Sequence, residues 1–422
     1  MPVDLKELFA AEKPVVAMAH MPPLPGTPFT TRSAARPQSS SRSVGTWRSS
    51  PAPGSTRFSS ATRRPAVPVE GDLRSGARYL ESDHVACPGV QDRSSTLMPA
   101  AGKLEDQFEQ HRAELRAYCY RMLGSPFEAE DAVQETFIRA WRGFERFEGR
   151  AALRSWLYRI ATNVCLDMLN GRERRARPMD LGPAREPVES NLNTLPEVTW
   201  IEPIPDDGLV FSPAADPADV AVSRETIRLA FVAALQHLPP RQRAVLILCE
   251  VLRWKASEVA ELLDTSVASV NSALQRARAT LDQSDLSAAD TSPSVDQGDA
   301  ELLARYVQAF EQYDMDALTA LIQEDATQSM PPFDLWLRGR DDILSWWVGP
   351  GAGCRGSRVI PTVTANGSPA FGQYKPSDSG SGYDPWALQV LEIADGRIVE
   401  FTFFLDTARV FPLFGLPMRL ES

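Results

Sequence analysis

Residues 151–177 read AALRSWLYRIATNVCLDMLNGRERRAR, and the side chains they expose are of the kind that handles nucleic acid. Leu153, Leu157, Ile160, Val164 and Met168 recur at steps of three and four, which puts them on one helix face. Arg154, Trp156, Arg159 and Asn163 fall on or beside the flanks of that stripe, and Arg172, Arg174, Arg175 and Arg177 close the segment. Guanidinium groups neutralise phosphates and flat side chains stack on bases drawn out of a duplex, so the chemistry on offer is strand opening. An ordinary core helix with a solvated basic end has the same pattern, and the neighbouring elements must decide between the two.

Two of those neighbours carry their own signals. Residues 255–281 (KASEVAELLDTSVASVNSALQRARATL) give a short helix over 257–263, a turn at Asp264-Thr265-Ser266 and a longer helix burying Val267, Val270, Leu274, Ala277 and Leu281. That is a helix-turn-helix, with a solvated helical hairpin as the plain alternative. Ser266, Ser269, Asn271, Ser272, Gln275, Arg276 and Arg278 face outward, where short polar side chains admit base edges and arginine pairs with guanine or phosphate. The other neighbour is EAEDAVQETFIRAWRGF, opened by Ser125 as N-cap, Pro126 at the first helical position and Glu128 completing a capping box. Its apolar stripe is Ala129, Val133, Phe137, Ala140 and Trp141, and its outer face holds Asp131, Gln134, Glu135 and Arg139. An acidic face with aromatic anchors suits a protein partner, not DNA.

These segments need scaffolds, and 422 residues allow two or three folded units. A hydrophobic share of 43% suits a globular protein, and no run of about 18 apolar residues marks a membrane span. The five cysteines form no CxxC pair and fit a reducing cytoplasm; Cys119, Cys165 and Cys249 sit in apolar helical patterns as small core residues. A net charge of −11 is unlike that of a freestanding DNA binder, so isolated affinity for DNA should be poor.

In chain order, residues 1–97 read as disordered for most of their length, with no Asp or Glu between Phe29 and Val69. Within them KPVVAMAHMPPLPGTP resembles the opening strand of the BtpA family of TIM-barrel proteins, although no barrel follows. The reading is a misjoined extension with a natural start near Met98, or else a natural disordered arm. Residues 104–177 form a helical bundle, whose first helix carries Leu104, Phe108, Leu115, Cys119 and Met122 and ends at Gly124. Residues 178–219, with nine acidic residues against the single arginine Arg185, form an extended linker in which the WIEPIPDD stretch can dock. Residues 220–283 hold an amphipathic helix over 221–235, a proline-started helix over 238–252 and the helix-turn-helix. After a second linker (284–298), residues 299–422 give helices and then a mostly antiparallel sheet, an α+β unit with a hairpin turn at Asp395-Gly396.

DAVQETFIRAW, SWLYRIATNVCLDMLNGRERR and LPPRQRAVLIL with ASEVAELLDTSVASVNSALQRARATL, in this order, resemble the ECF (group IV) sigma factors of the sigma-70 family. The terminal unit is similar to a SnoaL-like domain of the nuclear-transport-factor-2 fold, and together with WIEPIPDD it resembles the sigma-G group. The resemblance implies a multidomain chain of two all-α sigma domains, regions 2 and 4, followed by the SnoaL-like tail. It implies core RNA polymerase (β′ clamp helices and β flap) and promoter DNA as partners, in the cytoplasm, with no cofactor, metal or membrane. Asp131, Gln134, Glu135, Phe137, Arg139 and Trp141 would seat the chain on polymerase. Arg154, Trp156, Arg159, Asn163, Arg172, Arg174 and Arg175 would open and hold the −10 element. The helix-turn-helix would read the −35 element, and the acidic linker would thread the core enzyme near the RNA exit path.

The tail allows an aromatic pocket for an unknown small ligand, for which Tyr306, Phe310, Trp336, Trp347, Trp386 and Phe403 are the candidates. It has no histidine, and Asp314, Asp334, Asp341 and Asp384 are its carboxylate options for acid–base chemistry, Asp314 being better placed as a helix cap. A regulatory tail touching the sigma domains is preferred to an enzyme. Two other classes remain: a conventional helix-turn-helix regulator, which would footprint DNA alone, and a tail-centred enzyme, which would turn over substrate without the rest.

Overall fold

The computed structural model describes residues 98–147, 152–209, 226–283 and 297–421, so what was expected of the N-terminal 97 residues lies outside the described residues. Four helices make the first unit: α1 (Met98–Glu109), α2 (Arg112–Leu123), α3 (Pro126–Gly143) and α4 (Leu153–Leu169). The single first helix expected from the sequence is in fact two, broken at Gln110-His111. Gly124 closes α2 in the left-handed conformation, at φ 76°. Ser125 caps α3 by accepting the Glu128 N–H, but the reciprocal half of the capping box is missing because the Glu128 carboxylate is drawn to Arg172 and Arg175.

The second helical unit holds α5 (Leu229–Gln236), α6 (Pro240–Leu246), α7 (Ala256–Leu262) and α8 (Val267–Gln283), and α6 runs on into a wider turn of π type over Ile247–Val251. The described part of the expected amphipathic helix, α5, is buried at Leu229 and again from Val232 through Gln236, because the first unit covers the side that would face water. Val267, in the first turn of α8, is exposed, not buried as its spacing suggests. Phe108, Leu115, Tyr118, Leu157, Leu235, Leu248, Val259 and Val270 belong to one continuous core, so the two helical units share an interior.

The tail unit opens with α9 (Gln297–Gln312) and α10 (Met315–Leu321) and continues through β1 (Ile322–Ser329), β2 (Trp336–Arg338) and α11 (Arg340–Val348). It ends with β3 (Arg358–Pro361), β4 (Ala370–Pro376), β5 (Tyr383–Ala394), β6 (Arg397–Phe404) and α12 (Thr407–Leu413). The six strands run in the order β2-β1-β6-β5-β4-β3, antiparallel except for β1 beside β6. Asp395 and Gly396, both at positive φ, make the tight turn between β5 and β6. Strand alternation gives the sheet two different faces. Phe371, Ala387, Leu391 and Phe401 pack with the helices α9 to α11, whereas Ala370, Tyr374, Leu388, Val390 and Phe404 join the core of the helical units. No helix among the described residues is long and apolar enough to cross a membrane.

Candidate functional site

On α3, Asp131, Gln134, Ile138, Arg139 and Trp141 are exposed, and Ile138 and Trp141 each keep 45% of their surface open. Trp141 therefore leaves the core stripe and joins the outer face. Ile138, which sequence reasoning missed, stands one turn after Gln134; the i, i+4, i+7 spacing of Gln134, Ile138 and Trp141 was the available signal. Phe137 is half-buried, stacked on Phe108 at 5.7 Å with the Arg112 guanidinium 5.0 Å from its ring centre. Arg139 donates to Glu135 at 2.7 Å and to Asp167 on α4 at 3.0 Å, tying the face to the neighbouring helix.

The α4 candidates divide. Arg159 and Asn163 are exposed. Trp156 is half-buried against Phe147, with ring centres 4.8 Å apart. Arg154 donates to Glu114 at 2.8 Å and lies 5.4 Å from the ring centre of Trp254, a residue of the second helical unit. Trp254 in turn meets Tyr158 at 5.1 Å. The expected phosphate-binding cluster is engaged by protein partners, Arg172 and Arg174 at the surface and Arg175 in the interior. Arg172 pairs with Glu128 at 2.6 Å, and Arg174 with the ring Nδ1 of His237. Arg175 is 5% exposed and lies 2.9 Å from Glu128 and 3.6 Å from Glu202, while also donating to the Trp200 carbonyl at 2.5 Å. Its role here is structural: two carboxylates and a carbonyl replace the water an arginine of this exposure would otherwise lose. Burial raises the Glu128 carboxyl, and Arg175 and Arg172 more than reverse this, holding it below its usual range.

On α8, Ser266, Ser269, Asn271, Ser272, Gln275, Arg276 and Arg278 are all exposed. Ser266 Oγ caps the helix, accepting the Ser269 N–H at 3.1 Å. Arg276 donates to Ser272 at 2.6 Å, and Arg278 is paired with Glu250 across the turn.

The segment expected to run as an extended linker is instead docked over its described part, because its prolines remove donors while its remaining amides find tail partners. Arg185 pairs with Asp334 at 2.8 Å, Trp336 Nε1–H donates to the Gly182 carbonyl at 2.8 Å, and the Leu195 N–H donates to the Pro332 carbonyl at 3.0 Å. Ile201 and Ile204 of the WIEPIPDD stretch are buried in the shared core. One tail residue ties the pieces together. Asn366 is fully buried, and its Nδ2 donates to Tyr120 Oη of α2 at 2.7 Å and to the Ile227 carbonyl beside α5 at 2.6 Å. Its Oδ1 accepts the Ile204 N–H of the linker at 3.0 Å. Arg228 with Glu392, and Arg409 with Glu197 and Glu202, add ion pairs between the tail and the rest.

Beneath the sheet lies a cavity of about 430 Å³. Of the six expected lining residues it uses Phe310, Trp347, Trp386 and Phe403. Tyr306 is fully buried behind Phe310, its hydroxyl donating to Gln389, and Trp336 is turned to the linker. Gln328, Gln373 and Lys375 line the cavity without having been anticipated, as do Glu189 and Leu192 of the linker. Period-2 alternation along β4 was the signal for Gln373 and Lys375. None of the four aspartates considered for acid–base chemistry lines it: Asp314 caps α10 and Asp334 holds Arg185.

Two helical units with exposed polar and basic helix faces, the second built around a helix-turn-helix, define the class of helical proteins whose surfaces suit nucleic acid. Residues 107–175 match the model for Sigma-70 region 2, residues 228–281 that for Sigma-70 region 4, and residues 303–401 that for the SnoaL-like domain. The chain is 47% identical over 322 residues, 76% of this chain and 85% of the relative, to the ECF RNA polymerase sigma factor SigG of Mycobacterium tuberculosis H37Rv. It is 30% identical to the ECF RNA polymerase sigma factor SigW of Bacillus subtilis 168, over 40% of this chain and 82% of that one. The crystal structure of the Mycobacterium tuberculosis sigma factor SigJ covers 74% of this chain and 99% of its own, at 22% identity and a TM-score of 0.48. The chain belongs to the ECF sigma factors of RNA polymerase, non-enzymatic proteins of transcription initiation, and carries a SnoaL-like tail.

Proposed function

We propose that this sigma factor docks on the β′ clamp helices and β flap of core RNA polymerase in the cytoplasm, opens the −10 element with α4 and reads the −35 element with α8. We further propose that the tail clasps the two DNA-reading units in a closed resting form. The exposed Gln134, Ile138 and Trp141 face supports the docking step, and the exposed Arg159, Asn163 and Arg276 support the DNA contacts. The threading of the acidic linker near the RNA exit path belongs to the opened form, after its docked residues have left the tail.

Elements centred 25 base pairs apart lie ~85 Å apart along the duplex at about 3.4 Å per pair. Here α4 and the second helical unit touch through Tyr158 and Trp254, so the units must separate before both elements can be read at once. The junction also buries cations. The Arg121 and Arg243 guanidinium groups are buried in it, which lowers both pKa values to about 10. Arg243 is met by the Met122 carbonyl and by Gln236, at 2.6 Å from Oε1, so separation returns this cation to water.

The observation that carries the clasp is Asn366, bonded at once to α2, the linker and the approach to α5. The test is run-off transcription with core polymerase on a set of genomic promoter fragments, comparing the native chain with Asn366→Ala and with Tyr120→Phe as a milder variant. The expected result is several-fold higher output from both variants and a larger radius of gyration in solution scattering. Equal output at equal compactness would remove the clasp, and a footprint from the native chain without core polymerase would remove the division of labour with polymerase.

A further inference from the structure

The walls of the tail cavity sort into two chemistries. Phe310, Phe333, Trp346 and Phe403 offer flat apolar surface, with Met330 beside them. Three donors interrupt it. Gln328 is 1% exposed, and the Trp347 indole N–H, which can only donate, fixes its Oε1 at 2.7 Å. Its Nε2 is thereby turned away, toward the weak acceptor Met330 Sδ at 3.8 Å. Gln373, also 1% exposed, has its Oε1 occupied by the Gln389 amide at 2.9 Å and one Nε2 proton on Ser357 Oγ at 3.1 Å, which leaves its amide only the weak sulfur acceptor of Cys354, also in the cavity wall, for the other. Lys375 Nζ lies 3.7 Å from the ring centre of Trp386, and no carboxylate stands within ion-pair distance of it among the described residues. An aromatic room whose amide donors end on weak sulfur acceptors, beside an ammonium without a carboxylate, favours a ligand that brings apolar surface and an anionic acceptor.

The linker forms part of the cavity wall. Glu189 and Leu192 line it, and Leu192 packs on the tail core. The anchors of Arg185, Gly182 and Leu195 hold residues 182–195 across it as a strap. We propose that the cavity binds an aromatic carboxylate, with its ring system among the aromatic walls, its carboxylate on Lys375 and the Gln328 and Gln373 amides, and the strap closed over it. The strap belongs to the segment joining the two sigma units, so occupancy stiffens the clasp; this second step rests on the clasp reading given above.

The probe is 2-naphthoate added to the full chain, followed by tryptophan fluorescence, with 2-naphthylmethylammonium as the charge-reversed control. Naphthoate is expected to saturate at concentrations at least tenfold lower than the ammonium, and Lys375→Met to weaken it at least tenfold with an unchanged melting temperature. Lys375→Gln serves if the methionine variant melts early. Amide exchange at Leu195 and Asp334 is expected to slow in the complex. Equal binding of the two probes, an unaffected Lys375 variant, or no saturation by naphthoate up to its solubility overturns the site; unchanged exchange at Leu195 overturns the strap. Naphthoate binding with unchanged Asn366→Ala transcription keeps the site and overturns the coupling to the clasp. Raised Asn366→Ala transcription without naphthoate binding keeps the clasp and overturns the site.

Discussion

His237 links α5 to the basic end of the first helical unit, its ring Nδ1 facing the Arg174 guanidinium and its Nε2 4.0 Å from Asp180. Arginine can only donate, so Nδ1 accepts and the ring is neutral. Burial, then the charge of Arg174, hold its pKa below the ordinary 6.5, against the smaller pull of Asp180. A base with a depressed folded pKa binds its proton more readily when unfolded, so its share of stability is complete above pH 6.5 and lost as pH falls through the folded value. The melting temperature of the full chain is therefore expected to drop between pH 7.5 and 5.5 by more than that of His237→Gln. Parallel thermal denaturation curves for the two proteins would contradict the placement. At this scale the structure also reassigns Arg175, which its neighbours in sequence suggest as a phosphate ligand and which here holds Glu128 and Glu202 together.

Among the elements, α3 has the clearest division of faces. Ala129, Ala132, Val133, Thr136 and Ala140 are buried, while Gln134, Ile138 and Trp141 form a continuous outer stripe. Two large apolar side chains held at 45% exposure on a rigid helix make a ready anchor for a protein partner. Trp141→Ala is expected to weaken binding of core polymerase tenfold or more, since interface tryptophans often contribute about 2 kcal/mol or more. Its melting temperature should hardly move, because surface substitutions usually stay within about 0.5 kcal/mol. Titration of labelled protein with core enzyme reads the first effect and thermal denaturation the second; a fall in stability without a fall in affinity would assign Trp141 to the fold. The helix-turn-helix, by contrast, spends Ser266 on capping, Arg278 on Glu250 and Arg276 on Ser272 one turn back, which leaves Asn271 and Gln275 as the side chains least committed to the protein itself.

The whole molecule is organised by a sheet with two working faces. One encloses the cavity; the other, with Tyr374, Leu388, Val390, Phe404 and Phe411, completes the core of the sigma units. Removing residues 299–422 thus does more than delete a regulator: it uncovers apolar surface around Ile201, Ile204 and Ile227. The truncated chain is expected to bind a hydrophobic dye and to associate with rising concentration, whereas Asn366→Ala opens the clasp with the sheet still present. A truncated protein that stays monomeric at high concentration and dark to the dye would mean that the shared core is dispensable.

Local pattern was enough for most of the helices, strands and turns, though not for the break at Gln110-His111, because apolar periodicity, Ser125, Gly124 and Asp395-Gly396 act within a few residues of themselves. The same periodicity gave α4 and α8 a buried side and a polar side and separated a helical part from an α+β part. What it could not reach was partnership across the chain. Arg175, Asn366 and Trp254 are explained by residues dozens to hundreds of positions away, and the acidic segment was read as free because its partners lie on the tail. The lining of the cavity likewise depends on which side of each strand faces in, and on a strap that arrives from another part of the chain. Composition and spacing report what a side chain is able to do; only the closed structure decides whether water, a carboxylate or another helix meets it first.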